Sequence, residues 1–208
     1  MDRSLTLDGL RTSATTLFVV LVWVHVPTAA LVALVSRNPV LGPTVTALVV
    51  AVLATICARF LKEGPVLRCL MAVFMTCGPI VFVYAGRGHS SGFSGTGDWQ
   101  VDYHMYFFAV FAMLAAYVDW RPIAVAAALT AGHHLVLDLL VPANVFPEEG
   151  LDRVLLHAIA VVAECGVLFW MTNAIGTLFR RLEEANELVE FTARETAEAL
   201  LAAQAVHP

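Results

Sequence analysis

Residues 12–36 read TSATTLFVVLVWVHVPTAALVALVS, twenty-five consecutive positions without a formal charge. At 1.5 Å per residue, a helix of that length spans about 37 Å, enough to cross a hydrocarbon core of about 30 Å. The run is too long for the apolar core of a signal peptide and has no small-residue cleavage site at its end. Five further apolar stretches follow it. They are Val40–Ala58, Cys69–Gly86, the shorter Asp102–Val118, a stretch from the Asp119-Trp120-Arg121-Pro122 break to Val141, and Val154–Leu178. Arg37-Asn38-Pro39, Pro65, a glycine- and serine-rich connection from Arg87 to Gln100, and Pro142-Ala143-Asn144 punctuate them. The composition agrees, since 14% of residues are charged against about 25% in a soluble domain. The expectation is an all-α membrane protein, a six-transmembrane-helix bundle over residues 1–178.

Basic residues orient the bundle. With the N-terminus cytoplasmic, the inner ends carry Arg3, Arg11, Arg59, Lys62, Arg68, Arg121, Arg180 and Arg181. The outer ends carry Arg37, Arg87 and Arg153, so the count is eight against three and places both termini in the cytoplasm. A net charge of −5, with no basic run longer than Arg180-Arg181, excludes nucleic acid as a direct partner. Cys57, Cys69, Cys77 and Cys165 lie in apolar runs without CxxC spacing and read as small core residues.

Residues 179–208 change character, becoming charged and helix-favouring. Leu182, Ala185, Val189, Thr192, Thr196, Ala199, Ala203 and Val206 follow the alternating 4-3 spacing of a heptad seam. The seam is weak, made of small and threonine residues. It fits either a solvated helix trailing off the last span or a parallel dimeric signalling helix. In the second reading the chain is a homodimer that hands a signal to an output module it does not itself contain.

Ionisable residues inside the spans point to a site, because each costs several kcal/mol at membrane depth unless it has a partner. They are His25 in span one, Asp102 and His104 at the start of span four, His133, His134 and Asp138 in span five, and His157 and Glu164 in span six. In the orientation above, span five places His134 and Asp138 about 5–11 Å below the outer end of its apolar run. His157 and His104 fall near the same level, and His25 lies slightly deeper. A metal-bound imidazole usually gives its second N–H to a carboxylate or carbonyl, and Asp138 (i, i+4 from His134) and Glu164 (i, i+7 from His157) are placed to accept one. His133 and His134 point about 100° apart, so only one of them faces a single centre squarely; Asp138 favours His134, with His133 kept open. Interhelical hydrogen-bonded struts would explain each residue singly.

The donor set of imidazole and carboxylate suits Cu, Zn or Fe, with His104, His134, His157 and Asp102 as a four-coordinate set. The alternative is haem b, which takes two axial histidines in a slot. Gly132, Ala131 and Ala158 would supply small walls to that slot, Phe107, Phe108 and Phe111 aromatic ones, and Arg87 or Arg153 partners for the propionates. Haem alone leaves three of the intramembrane histidines unexplained. Spans one, four, five and six are expected to form the inner ring.

The segment Trp99-Gln100-Val101-Asp102-Tyr103-His104-Met105-Tyr106-Phe107-Phe108, then Asp119-Trp120-Arg121-Pro122, His133-His134, and Pro142-x-x-Val145-Phe146-Pro147 occur in that order. In this the chain resembles the six-span N-terminal sensory domain of bacterial methyl-accepting chemotaxis proteins, similar domains of which precede diguanylate cyclase and histidine kinase modules. More loosely it resembles MHYT-type membrane sensors. The resemblance implies signal transduction, a dimer, the bacterial inner membrane, and an input sensed near the outer leaflet. No HAMP-like unit or methylation helix follows Arg181, so a chemotactic output is implied by resemblance alone. Two other classes compete. One is a membrane metallohydrolase or oxidoreductase, with Glu164 or Asp102 as general base and the Gly86–Gly97 loop as a lid. The other is an electron-transfer cytochrome, weakened by an inner half that is empty of histidine.

Overall fold

The structure, a computed structural model, describes residues 6–87, 102–140 and 151–206, with side chains for all of these except 137–140, 151–154 and 203–206. Among them there is no strand. The elements are α1 (Leu7–Val35), α2 (Leu41–Phe60), α3 (Pro65–Ala85), α4 (Met105–Leu114), α5 (Trp120–Leu140) and α6 (Leu151–Val206). One 3₁₀ turn, Ala115–Tyr117, extends α4. Four helical segments, Leu7–Val35, Leu41–Phe60, Pro65–Ala85 and Leu155–Ala202, are long and apolar enough to cross a membrane. That gives the chain the character of a membrane protein.

Local chemistry sets the helix ends. The Thr6 hydroxyl accepts from the Gly9 N–H at 3.1 Å and caps α1, and Pro65 occupies the first turn of α3, where no N–H is needed. Arg37, at φ 56°, closes α1 in the left-handed conformation. The side-chain N–H groups of Asn38 then reach the Ala85 and Arg87 carbonyls at 2.8 and 2.7 Å, tying the α1–α2 turn to the end of α3. At the opposite end, Val118 at φ 50° makes the sharp turn into α5, and the Asp119 carboxylate caps that helix by accepting from the Arg121 N–H at 3.0 Å.

These contacts make successive helices antiparallel. One end of the bundle gathers Arg11, Arg68 and Asp119, and the other gathers Asn38 and Ala85. The core lies where α1, α3, α4 and α5 meet, around Phe18, Val22, Met71, Met75, Phe111, Leu114, Tyr117 and Ile123. Small residues let α1 and α2 approach closely, with Ala29, Ala47, Ala51 and Ala54 all buried. Leu17, Val20, Leu31, Leu48, Val52, Val162 and Trp170 face outward, as lipid-facing side chains do.

Helix α3 is the centre, with 67% of its apolar window buried against 17% for the last helix. The expectation of an inner ring of spans one, four, five and six is thereby corrected. Burial follows packing shape, and the Met71, Ala72, Met75 and Gly78 surface of α3 packs well without any histidine. Helix α6 lies at the periphery against α4 and α5. It runs through the expected boundary at residue 178 without a break and continues to Val206.

Candidate functional site

Helix α4 enters the bundle at His104, which is 1% exposed. Its imidazole meets those of His134 on α5 and His157 on α6, with ring centroids 5.2 and 6.1 Å away, and the last two lie 5.9 Å from each other. Three helices thus bring three of the expected histidines into one triangle. The rings line a cavity of about 450 Å³ with Phe107, Phe108, Thr130 and Ala131 among its walls. Ala128, Ala131, Leu135 and Val162, also at its walls, are exposed, so the cavity opens sideways between α5 and α6, toward lipid.

The tautomer of His134 follows from its partner. Its Nδ1 lies 2.9 Å from the Thr130 carbonyl oxygen, one turn back on α5. A carbonyl only accepts, so Nδ1–H donates, and in the neutral ring the lone pair sits on Nε2. This is the outer-shell arrangement that orients a metal-binding imidazole. The backbone supplies it here, where Asp138 was expected to, and the Asp138 side chain lies outside the described residues.

The other candidates separate. His133 packs edge-on against His134 at 5.2 Å and against Phe107 at 5.8 Å. It is not among the cavity's lining residues, and its Nε2 has no hydrogen-bond partner among the described residues. His25 sits elsewhere. Its Nε2 hydrogen-bonds the Tyr106 hydroxyl at 2.9 Å, its ring packs edge-on against Phe82 and Tyr106, and a Cβ on Gly78 would overlap it. Tyr106 and His104 are two residues apart on α4, about 200° around the helix, so α4 separates the two places. Asp102 is exposed and absent from the cavity wall. Glu164 is half-buried on α6, two residues past Val162 of the cavity wall but not itself part of that wall, and its Oε2 has no hydrogen-bond partner among the described residues.

Three imidazoles on one metal would have ring centroids about 3 Å from the ion and about 5 Å from one another, given bond lengths near 2.0–2.1 Å. The observed triangle is up to about 1 Å wider. Among the described residues, no three His, Cys, Asp or Glu side chains are grouped as a metal ion requires. The rings are therefore adjacent without forming a chelate as they stand. For haem, the expected walls are partly present. Ala131, Ala158, Phe107 and Phe108 line the cavity, whereas Phe111 belongs to the main core and Gly132 faces open space. Arg153 has no described side chain, and most of the Gly86–Gly97 loop lies outside the described residues. The four cysteines are free thiols.

Beyond Arg181, α6 is exposed on every side as far as Ala202, apart from Asn186. The seam residues Leu182, Ala185 and Val189 are exposed with it. The Thr192 and Thr196 hydroxyls donate to carbonyls of their own helix at 3.0 and 2.7 Å, which turns their methyl groups outward. Ala203 and Val206 have no described side chains.

Comparison with family models, curated proteins and solved structures finds no match to the chain in any of the three.

Proposed function

We propose that this chain is a six-span transmembrane sensory domain of the bacterial inner membrane, with both termini in the cytoplasm. In this reading His104, His134 and His157 hold a cofactor in the outer half of the bilayer, and α6 passes its state to the cytoplasm. The observation that carries the reading is the His104–His134–His157 triangle at the cavity. Its third member sits on the same continuous 56-residue helix that leaves the bundle. A transition metal ion (Cu, Zn or Fe) bound there supplies a redox- or ligand-responsive centre. His134 is oriented for it by Thr130, His104 is fixed by burial, and His157 is the mobile partner because α6 is the least buried helix. Closing the ring triangle by up to about 1 Å draws α6 toward α4 and α5, and shifts of that size on a packed helix suffice to switch an output.

Cytoplasmic α6 serves as the arm of a homodimer through the Leu182, Ala185, Val189 seam, coupling to a signalling module of the chemotaxis type. Haem b is the second reading, favoured by the volume of the cavity and by its alanine and phenylalanine walls. An enzymatic role on the same metal centre is the third.

The test is an absorption spectrum with elemental analysis of the purified protein beside His104→Ala and His134→Ala. About one Cu, Zn or Fe per chain without a Soret band, lost in both variants, is the expected result. A Soret band lost in either variant replaces the metal ion with haem. Neither cofactor in a folded wild type overturns both readings.

A further inference from the structure

The opposite end of the bundle holds a second cavity, about 280 Å³, walled by Arg11, Arg68, Asp119, Arg121, Asn173 and Arg180 among others. It lies between the starts of α1, α3 and α5 and the point where α6 emerges from its apolar stretch. Four guanidinium groups face one carboxylate at this wall. Glu63, 3.5 Å from the Arg68 Nε, and Asp8, 3.5 Å from the Arg11 Nη1, bring the carboxylates to three, still short of neutrality. Arg121 and Arg180 form no ion pair among the described residues.

Two of the guanidiniums are preset. Arg11 donates through Nε and Nη2 to the Tyr117 and Val118 carbonyls at 3.1 and 3.4 Å. Arg68 is only 5% exposed, and its Nη1 stands 3.3 Å from Asp119. Its Nε and Nη1 nonetheless make no hydrogen bond of good geometry. Those two nitrogens are shielded from the cavity and face Glu63 and Asp119, so Arg68 acts on an entering anion through its charge, while Arg121 and Arg180 at the cavity wall are left to contact it. Guanidiniums with forked donors are the usual recognition element for phosphate.

We propose that this cavity binds a phosphate group, either the headgroup of an anionic phospholipid or a free phosphate, and thereby pins the exit of α6 to the start of α5. The histidine site plays no part in this. The lipid source rests on the membrane reading, and the free-phosphate source does not.

The experiment uses the full chain in phosphatidylcholine nanodiscs. One arm adds phosphatidylglycerol and counts retained lipid by native mass spectrometry. The other titrates inorganic phosphate and follows the unfolding temperature. The variants are the pair Arg121→Gln/Arg180→Gln, and Arg59→Gln as a same-end charge control outside the cavity. Removing one charge-assisted contact weakens binding about tenfold. The pair is therefore expected to lose about a hundredfold and Arg59→Gln less than twofold. Retention of phosphatidylglycerol alone assigns the lipid source, and saturable stabilisation by phosphate assigns the free one. Arg180→Gln alone, at an exposed position, gives the tenfold step should the pair fail to fold. No binding of either probe, or equal losses in Arg59→Gln and the cavity variants, overturns the proposal.

Discussion

Replacing Gly78 by alanine tests how His25 is held. The added Cβ would overlap the imidazole, and α3 is the most buried helix, so its backbone has little room to retreat. The ring must turn away from the Tyr106 hydroxyl, now 2.9 Å from Nε2. Loss of that hydrogen bond costs about 1 kcal/mol, and overpacking a core site costs about 1–3 kcal/mol more. The expected total is about 2–4 kcal/mol. Gly132→Ala is the matched control, because nothing lies within 4 Å of its Cβ position. A glycine-to-alanine change in an unobstructed helix interior gains up to about 1 kcal/mol. Unfolding in a denaturing detergent, followed by circular dichroism, measures both. The reasoning is refuted if Gly78→Ala is as stable as the wild type, or if both substitutions shift stability equally.

Asp119→Asn removes a charge facing Arg68 while its amide oxygen can still cap α5. Both side chains are almost fully buried, at 7% and 6% exposure, and stripping a buried pair of one partner costs about 3 kcal/mol. A thermal midpoint unchanged from wild type would contradict the pairing. On the cytoplasmic extension, Val189→Cys should give an oxidised dimer on non-reducing gels. Glu187→Cys, on the far side of the helix, should give much less, and equal yields would remove the seam.

The long apolar helices were legible because hydropathy and length alone decide them. The second span, expected at Val40–Ala58, is α2 at Leu41–Phe60. Pro65, expected to open the third span ahead of its apolar run at Cys69, is the first residue of α3. Arg68 sits inside that helix because its charge meets Asp119 and Glu63, contacts 51 and 5 residues away that a linear scan cannot see. The arginines served in the sequence only to count sidedness, so the second cavity went unnoticed. Within the histidine layer, depth could be read from position along each span, and His104, His134 and His157 do meet. The azimuth of α1 could not be read, which is why His25 was grouped with rings that face the other side of α4. The Thr130 carbonyl that orients His134 is a backbone atom and leaves no mark in the residue pattern.

In the proposed sensor, His104, His134 and His157 share one cofactor while His25 serves packing. Metal content and absorption of the purified wild type, His157→Ala and His25→Ala test it most directly. His157→Ala is expected to lose the cofactor and His25→Ala to retain it at the wild-type ratio. Retention in His157→Ala, or equal loss in both, would contradict it.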